Sequence, residues 1–335
     1  MPPSIASLDL PPFRPRFPWW GADLQTLSVF LRSTPTDLSP HTSERVCFPM
    51  ADRTGDILLG MLDQPAEPID GRPLVLLIHG MTGCETSVYM LSAARHLLDC
   101  GYRVLRLNVR GAGPSRPYCS EIYHVGRTAD FRRVLWQIPE ELTTNGIVAI
   151  GYSLGGAMLL KYLGEEGAFS PLRAAVSVCA PIDLIGTARQ MMRRRNRLYH
   201  AYILNGVKAE TLGEGARLSS EEREVVRNAR TVQEYDDTFI APRYGYRDGE
   251  DYYELCAPLR YMPEIRVPTM VLAARDDPWI PIAHYEAFKW EDNPSLLPVL
   301  TPTGGHVGFH GDAGNRPWCD LALEKFLERV DSIAA

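Results

Sequence analysis

Short apolar runs alternate with helical patterns from residue 73 to the end of the chain. Leu74–Ile78 is continuously apolar, which is typical of a strand buried on both faces of a sheet. Val88–Asp99 has helical spacing and is followed by Gly101, a residue that commonly ends helices. The same patterns predict further strands at 102–108, 147–150, 174–179, 269–273 and 297–300, and further helices at 129–138, after residue 153 and at 318–330. Repeated β-α-β units of this kind predict a doubly wound, mostly parallel sheet with right-handed crossovers.

Three regions depart from this alternation. Residues 45–50 and 57–62 flank a polar turn and predict an antiparallel hairpin. The proline-rich first forty residues contain Trp19 and Trp20, and adjacent tryptophans are costly to leave in water, so we expect an arm packed on the main domain. The interval 185–262 has no strong buried strand, which predicts an inserted, mainly helical cap. The expected organisation is therefore an arm at 1–40, an α/β core at 41–184 and 263–335, and a cap at 185–262.

Composition narrows the functional classes. The 335-residue chain is 45% hydrophobic and 23% charged, as in ordinary globular proteins, and its net charge of −6 argues against a general nucleic-acid binder. Its seven cysteines are scattered without C-x-x-C spacing, which indicates buried thiols in a reducing compartment. Prolines interrupt the N-terminal segment where a secretory signal would need an apolar stretch, and no apolar run is long enough to span a membrane. We therefore expect a cytoplasmic enzyme.

Ser153 is the strongest candidate for a catalytic nucleophile. It lies in Gly-Tyr-Ser-Leu-Gly-Gly, between the predicted strand at 147–150 and a helix opened by Leu154. Such a strand–turn–helix junction exposes the hydroxyl at the edge of the sheet, and glycines allow the tight turn. The backbone N–H of Leu154 then lies where a developing oxyanion needs a donor.

A serine hydroxyl needs a base, and the base needs an orienting carboxylate. In doubly wound hydrolases these residues follow in the order serine, acid, histidine. Asp276 and Asp277 both follow the predicted strand at 269–273, and the Asp-x-x-hydrophobic-Pro spacing favours Asp277. Asp183 is a weaker alternative for the acid. His306 lies in a glycine-rich loop after the last predicted strand and is the predicted base.

The second oxyanion donor is expected from the loop that follows Leu74–Ile78. There the backbone N–H of Met81 is the candidate, and His79 is expected to brace the loop instead of acting as a base. His306, His310 and Asp312 have a spacing that could ligate a metal on a helix, but the surrounding glycines disfavour a helix at that point. The proposed chemistry requires neither a metal nor an organic cofactor.

Several longer motifs resemble the YheT-like branch of the α/β-hydrolase superfamily over nearly the whole chain. The motifs are Leu24-Gln25-Thr26-Leu27, Asn108-Val109-Arg110-Gly111, Ile122-Tyr123-His124, Tyr235-Asp236-Asp237, Asp251-Tyr252-Tyr253 and Gly304-Gly305-His306-Val307-Gly308-Phe309. The resemblance implies an α/β-hydrolase fold, a triad of Ser153, Asp277 and His306, and hydrolysis of carboxylic esters. Related eukaryotic members of this superfamily act on lipids.

The leading hypothesis is thus a serine carboxylesterase acting on a small-molecule or lipid ester. A lipase, acyltransferase or thioesterase acting on longer acyl chains would use the same triad, and a catalytically silent binding protein is the alternative from another class. Five arginines between residues 189 and 197 have two interpretations, a solvated helix face, which is favoured, and a weak contact with anionic lipid head groups.

Overall fold

The computed structural model describes residues 8–31, 36–311 and 316–334. Its strands form one eight-stranded sheet in the order β1-β2-β4-β3-β5-β6-β7-β8. The strands are β1 (Thr42–Pro49), β2 (Ile57–Gln64), β3 (Leu74–Ile78), β4 (Val104–Leu107), β5 (Ile147–Tyr152), β6 (Leu172–Val178), β7 (Thr269–Ala274) and β8 (Leu296–Thr301).

The sheet is parallel except at one edge. β1 pairs antiparallel with β2, and β2 pairs antiparallel with β4. The remaining neighbours, from β4 through β3 to β8, are all parallel. The predicted hairpin and the predicted α/β-hydrolase fold are both confirmed.

Helices cover both faces of the sheet and fill the interval between β6 and β7. They are α1 (Ala22–Leu31), α2 (Val88–Asp99), α3 (Thr128–Gln137), α4 (Glu140–Thr143), α5 (Leu154–Glu166), α6 (Leu184–Met191), α7 (Arg197–Thr211), α8 (Ser220–Asn228), α9 (Val232–Tyr235), α10 (Ala241–Arg243), α11 (Gly249–Cys256), α12 (Ala283–Ala287) and α13 (Trp318–Ala334). A π-helical turn at Asp236–Ile240 joins α9 to α10. Among the described residues, no helix has the length and apolar character needed to cross a bilayer.

The hydrophobic core consists of two layers, one on each face of the sheet. In β3, Leu76 and Ile78 belong to the layer that contains α3 and α5, whereas Val75 and Leu77 belong to the layer that contains α2 and α13. Alternate side chains of a strand point to opposite faces, so both sets must be apolar when both faces are covered. This explains the continuous apolar run that predicts β3.

The N-terminal arm packs on the core differently from what its tryptophans suggest. Phe13 is buried and makes edge-to-face contacts with Phe309 and Trp318. Trp20, in contrast, is 59% exposed, so the expectation that both adjacent tryptophans pack against the domain is wrong for this residue. The arm is attached through Phe13, through the ring of Trp19 against His310 and through side chains of α1, whereas Trp20 stays in solvent.

The helices between β6 and β7 are joined to the core around a buried histidine. The ring of His124 lies between Tyr244, Tyr246 and Tyr252, with centroid distances of 4.3, 6.0 and 5.7 Å. Burial, supported by the nearby charges of Arg127 and Lys161, lowers the pKa of His124 to about 3. The imidazole is therefore neutral in the folded protein. The division into arm, core and cap at the stated boundaries stays a prediction.

The neutral state of His124 leads to a prediction about acid stability. Between pH 6.5 and the lowered pKa, the unfolded chain binds a proton that the folded protein does not, so stability falls as the pH decreases through this window. From pH 6.5 to pH 5, wild type should lose about 2 kcal/mol more free energy of unfolding than His124→Asn. Urea denaturation of both proteins at a series of pH values measures this difference. Parallel curves would contradict it.

Candidate active site

Ser153 lies at the sharp turn between β5 and α5. Its φ of 50° and ψ of −119° are unusual for a residue with a side chain, and such conformations cost about 1–3 kcal/mol. The turn brings α5 so close to β3 that a Cβ at Gly155 would lie 2.4 Å from the carbonyl oxygen of His79. Glycine is therefore required at position 155, as the sequence motif indicates.

The structure brings together the three side chains predicted to form a triad. Nε2 of His306 lies 2.9 Å from Oγ of Ser153, and Nδ1 of His306 lies 2.8 Å from Oδ2 of Asp277. His306 and Asp277 are both buried. The ring of Trp279 lies against the imidazole, with a centroid distance of 4.2 Å and an angle of 30° between the planes, and this contact restricts rotation of His306. A hydroxyl that donates to an imidazole, which in turn donates to a carboxylate, is the arrangement that activates serine.

The two neighbouring aspartates have separate positions. Oδ1 of Asp277 accepts hydrogen bonds from the backbone N–H groups of Trp279 and Ile280, so its other oxygen is held toward His306. Oδ1 of Asp276 accepts from the N–H of Gly305, and burial raises the pKa of the Asp276 carboxyl. Asp277 contacts the imidazole, and Asp276 fastens the loop that carries it.

The other candidates from the sequence are engaged elsewhere or are not described. Asp183 lies 2.7 Å from His284 and caps α6 by accepting the N–H of Gly186. His310 is held in the loop by Gln25, whereas Asp312 lies outside the described residues. Among the described residues, His310 belongs to no group of three side chains with metal-ligand spacing.

One buried group near the triad has metal-like spacing. Sγ of Cys179, a carboxylate oxygen of Asp277 and a ring nitrogen of His306 lie within 4.8 Å of one another. Burial raises the pKa of the Cys179 thiol well above its usual value, and the N–H of Val307 donates to the sulfur. Metals bind the thiolate, so a buried neutral thiol does not suit an ion. This donor set fits the triad better than a metal centre.

The N-terminal arm holds the histidine loop in place. Oγ1 of Thr26 accepts the N–H of His306 at 2.9 Å, and the side chain of Gln25 both donates to the carbonyl and accepts from the N–H of His310. A Cβ at Gly305 would lie 2.6 Å from the carbonyl oxygen of Ala22, so only glycine allows α1 to approach this closely. Residue-level reasoning missed this role of Gln25 and Thr26. The signal was the Leu-Gln-Thr-Leu motif, whose partner lies about 280 residues away.

Two tyrosine hydroxyls hold the backbone on either side of Met81. The N–H of Gly80 donates to Oη of Tyr89 at 2.9 Å, and the N–H of Thr82 donates to Oη of Tyr123 at 2.8 Å. Oη of Tyr123 in turn donates to Oε2 of Glu210, on α7, at 2.7 Å. Burial raises the pKa of Glu210 to about 7. The loop is thus fixed from the core by one tyrosine and from α7 through the other.

His79 braces the same loop. Its Nδ1 lies 2.8 Å from the carbonyl oxygen of Gly80, and its Nε2 accepts the N–H of Val109. Burial lowers the pKa of His79 to about 4, so the ring is neutral and donates through Nδ1. Leu154 is the first residue of α5, where the backbone N–H has no partner within the helix. Met81 and Leu154 both line the cavity at Ser153, and the role of their N–H groups as oxyanion donors stays a prediction.

A cavity of about 340 Å³ opens above Ser153 and His306. Its walls come from the loop at Met81, from α6 and α7, and from the turn at Trp279, and most of them are apolar. Asp236 is a polar exception. Its carboxyl accepts a hydrogen bond from Tyr253, and burial raises its pKa to about 7. A site of this shape and polarity suits an ester with an apolar portion.

The tyrosine–glutamate bridge leads to a prediction for Tyr123→Phe. Loss of the hydroxyl leaves the N–H of Thr82 without its acceptor and loosens the backbone at Met81. Turnover of p-nitrophenyl butyrate should therefore fall by about 10- to 100-fold in kcat with little change in KM. Glu210→Gln keeps an acceptor for the tyrosine and should retain most of kcat. Tyr118→Phe, at an exposed tyrosine, is the matched control; equal losses in both phenylalanine variants would contradict the bridge.

Known proteins with similar sequences and structures share this architecture. Residues 73–313 match the family model for the alpha/beta hydrolase fold. The Escherichia coli protein named "Putative esterase YheT" is 32% identical over 82% of each chain, in agreement with the resemblance drawn from the motifs. Two Saccharomyces cerevisiae proteins, a medium-chain fatty acid ethyl ester synthase/esterase and a monoacylglycerol lipase, are 29% and 27% identical over 78% and 77% of this chain. The chain spans only 63% and 60% of their lengths.

Among solved structures, an esterase from Pyrococcus furiosus superposes with a TM-score of 0.59. The match covers 96% of this chain and 98% of the esterase at 20% sequence identity. At this identity the likeness concerns the fold.

Proposed function

The chain belongs to the α/β-hydrolase fold family, and from this premise we propose that it is a serine carboxylesterase. The observation that carries the proposal is the continuous chain of hydrogen bonds from Oγ of Ser153 through His306 to Asp277, with distances of 2.9 and 2.8 Å. This series of hydrogen bonds ends at Ser153, which lines an apolar cavity where an ester carbonyl can approach the hydroxyl. An esterase or lipase type of activity agrees with the names of the relatives.

Acylation begins when Ser153 attacks the ester carbonyl carbon. Nε2 of His306 takes the hydroxyl proton as the bond forms, and Asp277 stabilises the resulting imidazolium. The carbonyl oxygen becomes an oxyanion, which the backbone N–H groups of Met81 and Leu154 bind. The tetrahedral intermediate collapses as His306 returns its proton to the departing alcohol. An acyl ester of Ser153 remains.

Deacylation repeats these steps with water. His306 removes a proton from the water molecule as it attacks the acyl carbon, and the same two N–H groups hold the second oxyanion. The proton then passes from His306 to Oγ of Ser153, and the carboxylic acid leaves. Every proton is exchanged with His306, so the position of this ring, set by Asp277 and Trp279, governs both halves of the cycle.

The cavity favours one form of this activity, hydrolysis of esters with medium or long acyl chains. Apolar side chains of α6 and α7, among them Leu184, Met191 and Ile203, extend the apolar walls from the serine to the cap helices. Each buried methylene contributes about 0.8 kcal/mol, so kcat/KM should rise along a p-nitrophenyl ester series until the chain fills the cavity. The same triad would serve a thioesterase or an acyltransferase, and thioester substrates or competing alcohol acceptors distinguish these activities.

The role of the nucleophile is tested with Ser153→Ala. Because no other group replaces the attacking oxygen, hydrolysis of p-nitrophenyl butyrate should fall by about 10⁵-fold or more. A fluorophosphonate probe should label wild type and leave the variant unlabelled. Ser332→Ala, at an exposed serine of α13, is the control and should behave as wild type. Retained activity in Ser153→Ala would remove this residue from the mechanism, and an unlabelled, inactive wild type would favour a binding protein.

The two neighbouring aspartates provide a separate test. Asp277→Asn removes the charge that orients and stabilises the imidazolium, so kcat should fall by about 10⁴-fold. Asp276→Asn keeps an acceptor for the N–H of Gly305 and should lower kcat by less than about 10-fold. Each variant serves as the other's control, because the substitutions are isosteric and adjacent. The reverse order of effects would assign the acid to Asp276.

A further inference from the structure

Exposed apolar side chains occur at the rim of the cavity, on α7 and on the arm that contacts this part of the chain. Eight large hydrophobic residues with at least 37% of their surface exposed belong to the arm, to the start of α2, or to α7 and the segment before it. We call this set the mouth surface: Phe17, Trp20, Leu24, Leu31, Val88, Met192, Leu198 and Tyr202. Soluble proteins rarely expose apolar side chains in such a group unless the surface binds something.

The mouth surface is continuous with the cavity. Val88, Met192 and Tyr202 line the cavity and are also exposed to solvent, so they form its rim. Leu198, which is 79% exposed, lies one turn before Tyr202 on α7 and therefore on the same helix face. A partner that covers these side chains would cover the entrance for substrate.

The arm and α7 are joined at this surface by polar contacts. The carboxylate of Asp23, on α1, accepts hydrogen bonds from Arg195 and Tyr199, each at 3.0 Å. Leu24 and Leu31 lie seven residues apart, two turns along one face of α1, and both are exposed. Asp23 thereby joins α1, which carries Leu24 and Leu31, to the start of α7.

A dense positive charge accompanies these apolar groups. Arg189, Arg193, Arg194, Arg195 and Arg197 are all exposed. Within the described residues 8–31, 36–311 and 316–334, Arg195 forms an ion pair with Asp23. The other four guanidinium groups have no carboxylate within 4.0 Å in that part of the chain. The whole protein has a net charge of −6, so this surface is opposite in charge to the average of the molecule.

We propose that the mouth surface docks onto a bilayer containing anionic phospholipids. Arginines bind phosphate groups through several N–H donors, while tryptophan, phenylalanine and leucine side chains enter the interface beneath them. A purely solvated helix face would account for the arginines but leaves the adjoining exposed apolar side chains unexplained. The further statement that ester substrate enters the cavity from the bilayer rests on the proposed esterase function; the docking itself does not.

Co-sedimentation with vesicles tests the docking directly. Full-length Ser153→Ala protein is mixed with vesicles of phosphatidylcholine alone or of phosphatidylcholine with phosphatidylglycerol, at low and at high salt. The proposal expects binding to the phosphatidylglycerol vesicles that weakens at high salt. An arginine near an anionic surface contributes about fivefold in affinity, so Arg193→Glu/Arg194→Glu/Arg197→Glu should weaken binding by at least about a hundredfold.

Matched variants separate the surface from general effects of charge and hydrophobicity. Arg260→Glu/Lys289→Glu/Arg329→Glu changes the net charge equally at exposed positions elsewhere, and should bind like the parent protein. Leu198→Ser should weaken binding by about tenfold. Phe169→Ser, at a phenylalanine that is 91% exposed on another part of the molecule, should leave binding unchanged.

Four results would overturn the docking proposal. They are the absence of vesicle binding, equal binding to vesicles without phosphatidylglycerol, an equal loss in the control triple variant, and a change of oligomeric state in Leu198→Ser without vesicles. The last result, seen by size-exclusion chromatography, would show that a second copy of the chain covers the surface.

A parallel activity measurement separates this proposal from the esterase function. For this measurement the surface substitutions are made in protein that retains Ser153. Each variant should hydrolyse p-nitrophenyl butyrate as wild type does and lose activity only toward an ester embedded in anionic vesicles. Vesicle binding by a protein that hydrolyses neither substrate would support docking and contradict the esterase. Hydrolysis of p-nitrophenyl butyrate without vesicle binding would support the esterase and contradict docking.

Discussion

The strained backbone of Ser153 is the constraint on which the rest of the site depends. A positive φ at a residue with a side chain persists only where surrounding contacts hold it. Here β5 is hydrogen-bonded on both sides within the sheet, and α5 is buried along most of its length, so neither element can relax. The backbone of Ser153 is therefore fixed, and the histidine loop, the loop at Met81 and the cavity all have to be arranged around it.

That requirement explains why distant parts of the chain meet at His306. The histidine loop follows β8, and it is anchored by its own buried side chains, Val307 and Phe309, and by neighbouring elements. Asp276 binds the N–H of Gly305, Thr26 binds the N–H of His306, and Trp279 covers the ring. The arm is thereby part of the site's support, although it lies far from the serine in sequence and contributes no group to the proposed chemistry.

The sequence predicts most of the fold and the three side chains of the triad because both have local signals. Apolar runs mark the buried strands, and glycines or Asp-Asp-Pro mark the turns that follow them. Strand ends are less well predicted. The apolar run predicts β5 at 147–150, but the strand extends through Tyr152, because neighbouring elements bury Gly151 and Tyr152, which do not continue the apolar run. The Leu-Gln-Thr-Leu motif marks Gln25 and Thr26 without indicating what they bind, and Glu210 has no local signal. Their partners are distant in the chain, and the exposed Trp20 likewise shows that a residue type alone does not determine its burial.

The helix α7 connects features that the sequence leaves separate. Near its beginning, Leu198 of the mouth surface and the adjacent Arg197 face solvent. Near its end, Glu210 binds Tyr123, which holds the backbone beside Met81. A helix of fifteen residues is about 22 Å long and moves as a rigid element. A displacement of α7 would therefore change both the rim of the cavity and the hydrogen bond from Tyr123 to Glu210, which supports the loop at Met81. The helices between β6 and β7 thus provide one wall of the cavity, and α7 joins that wall to the loop at Met81 through Glu210 and Tyr123.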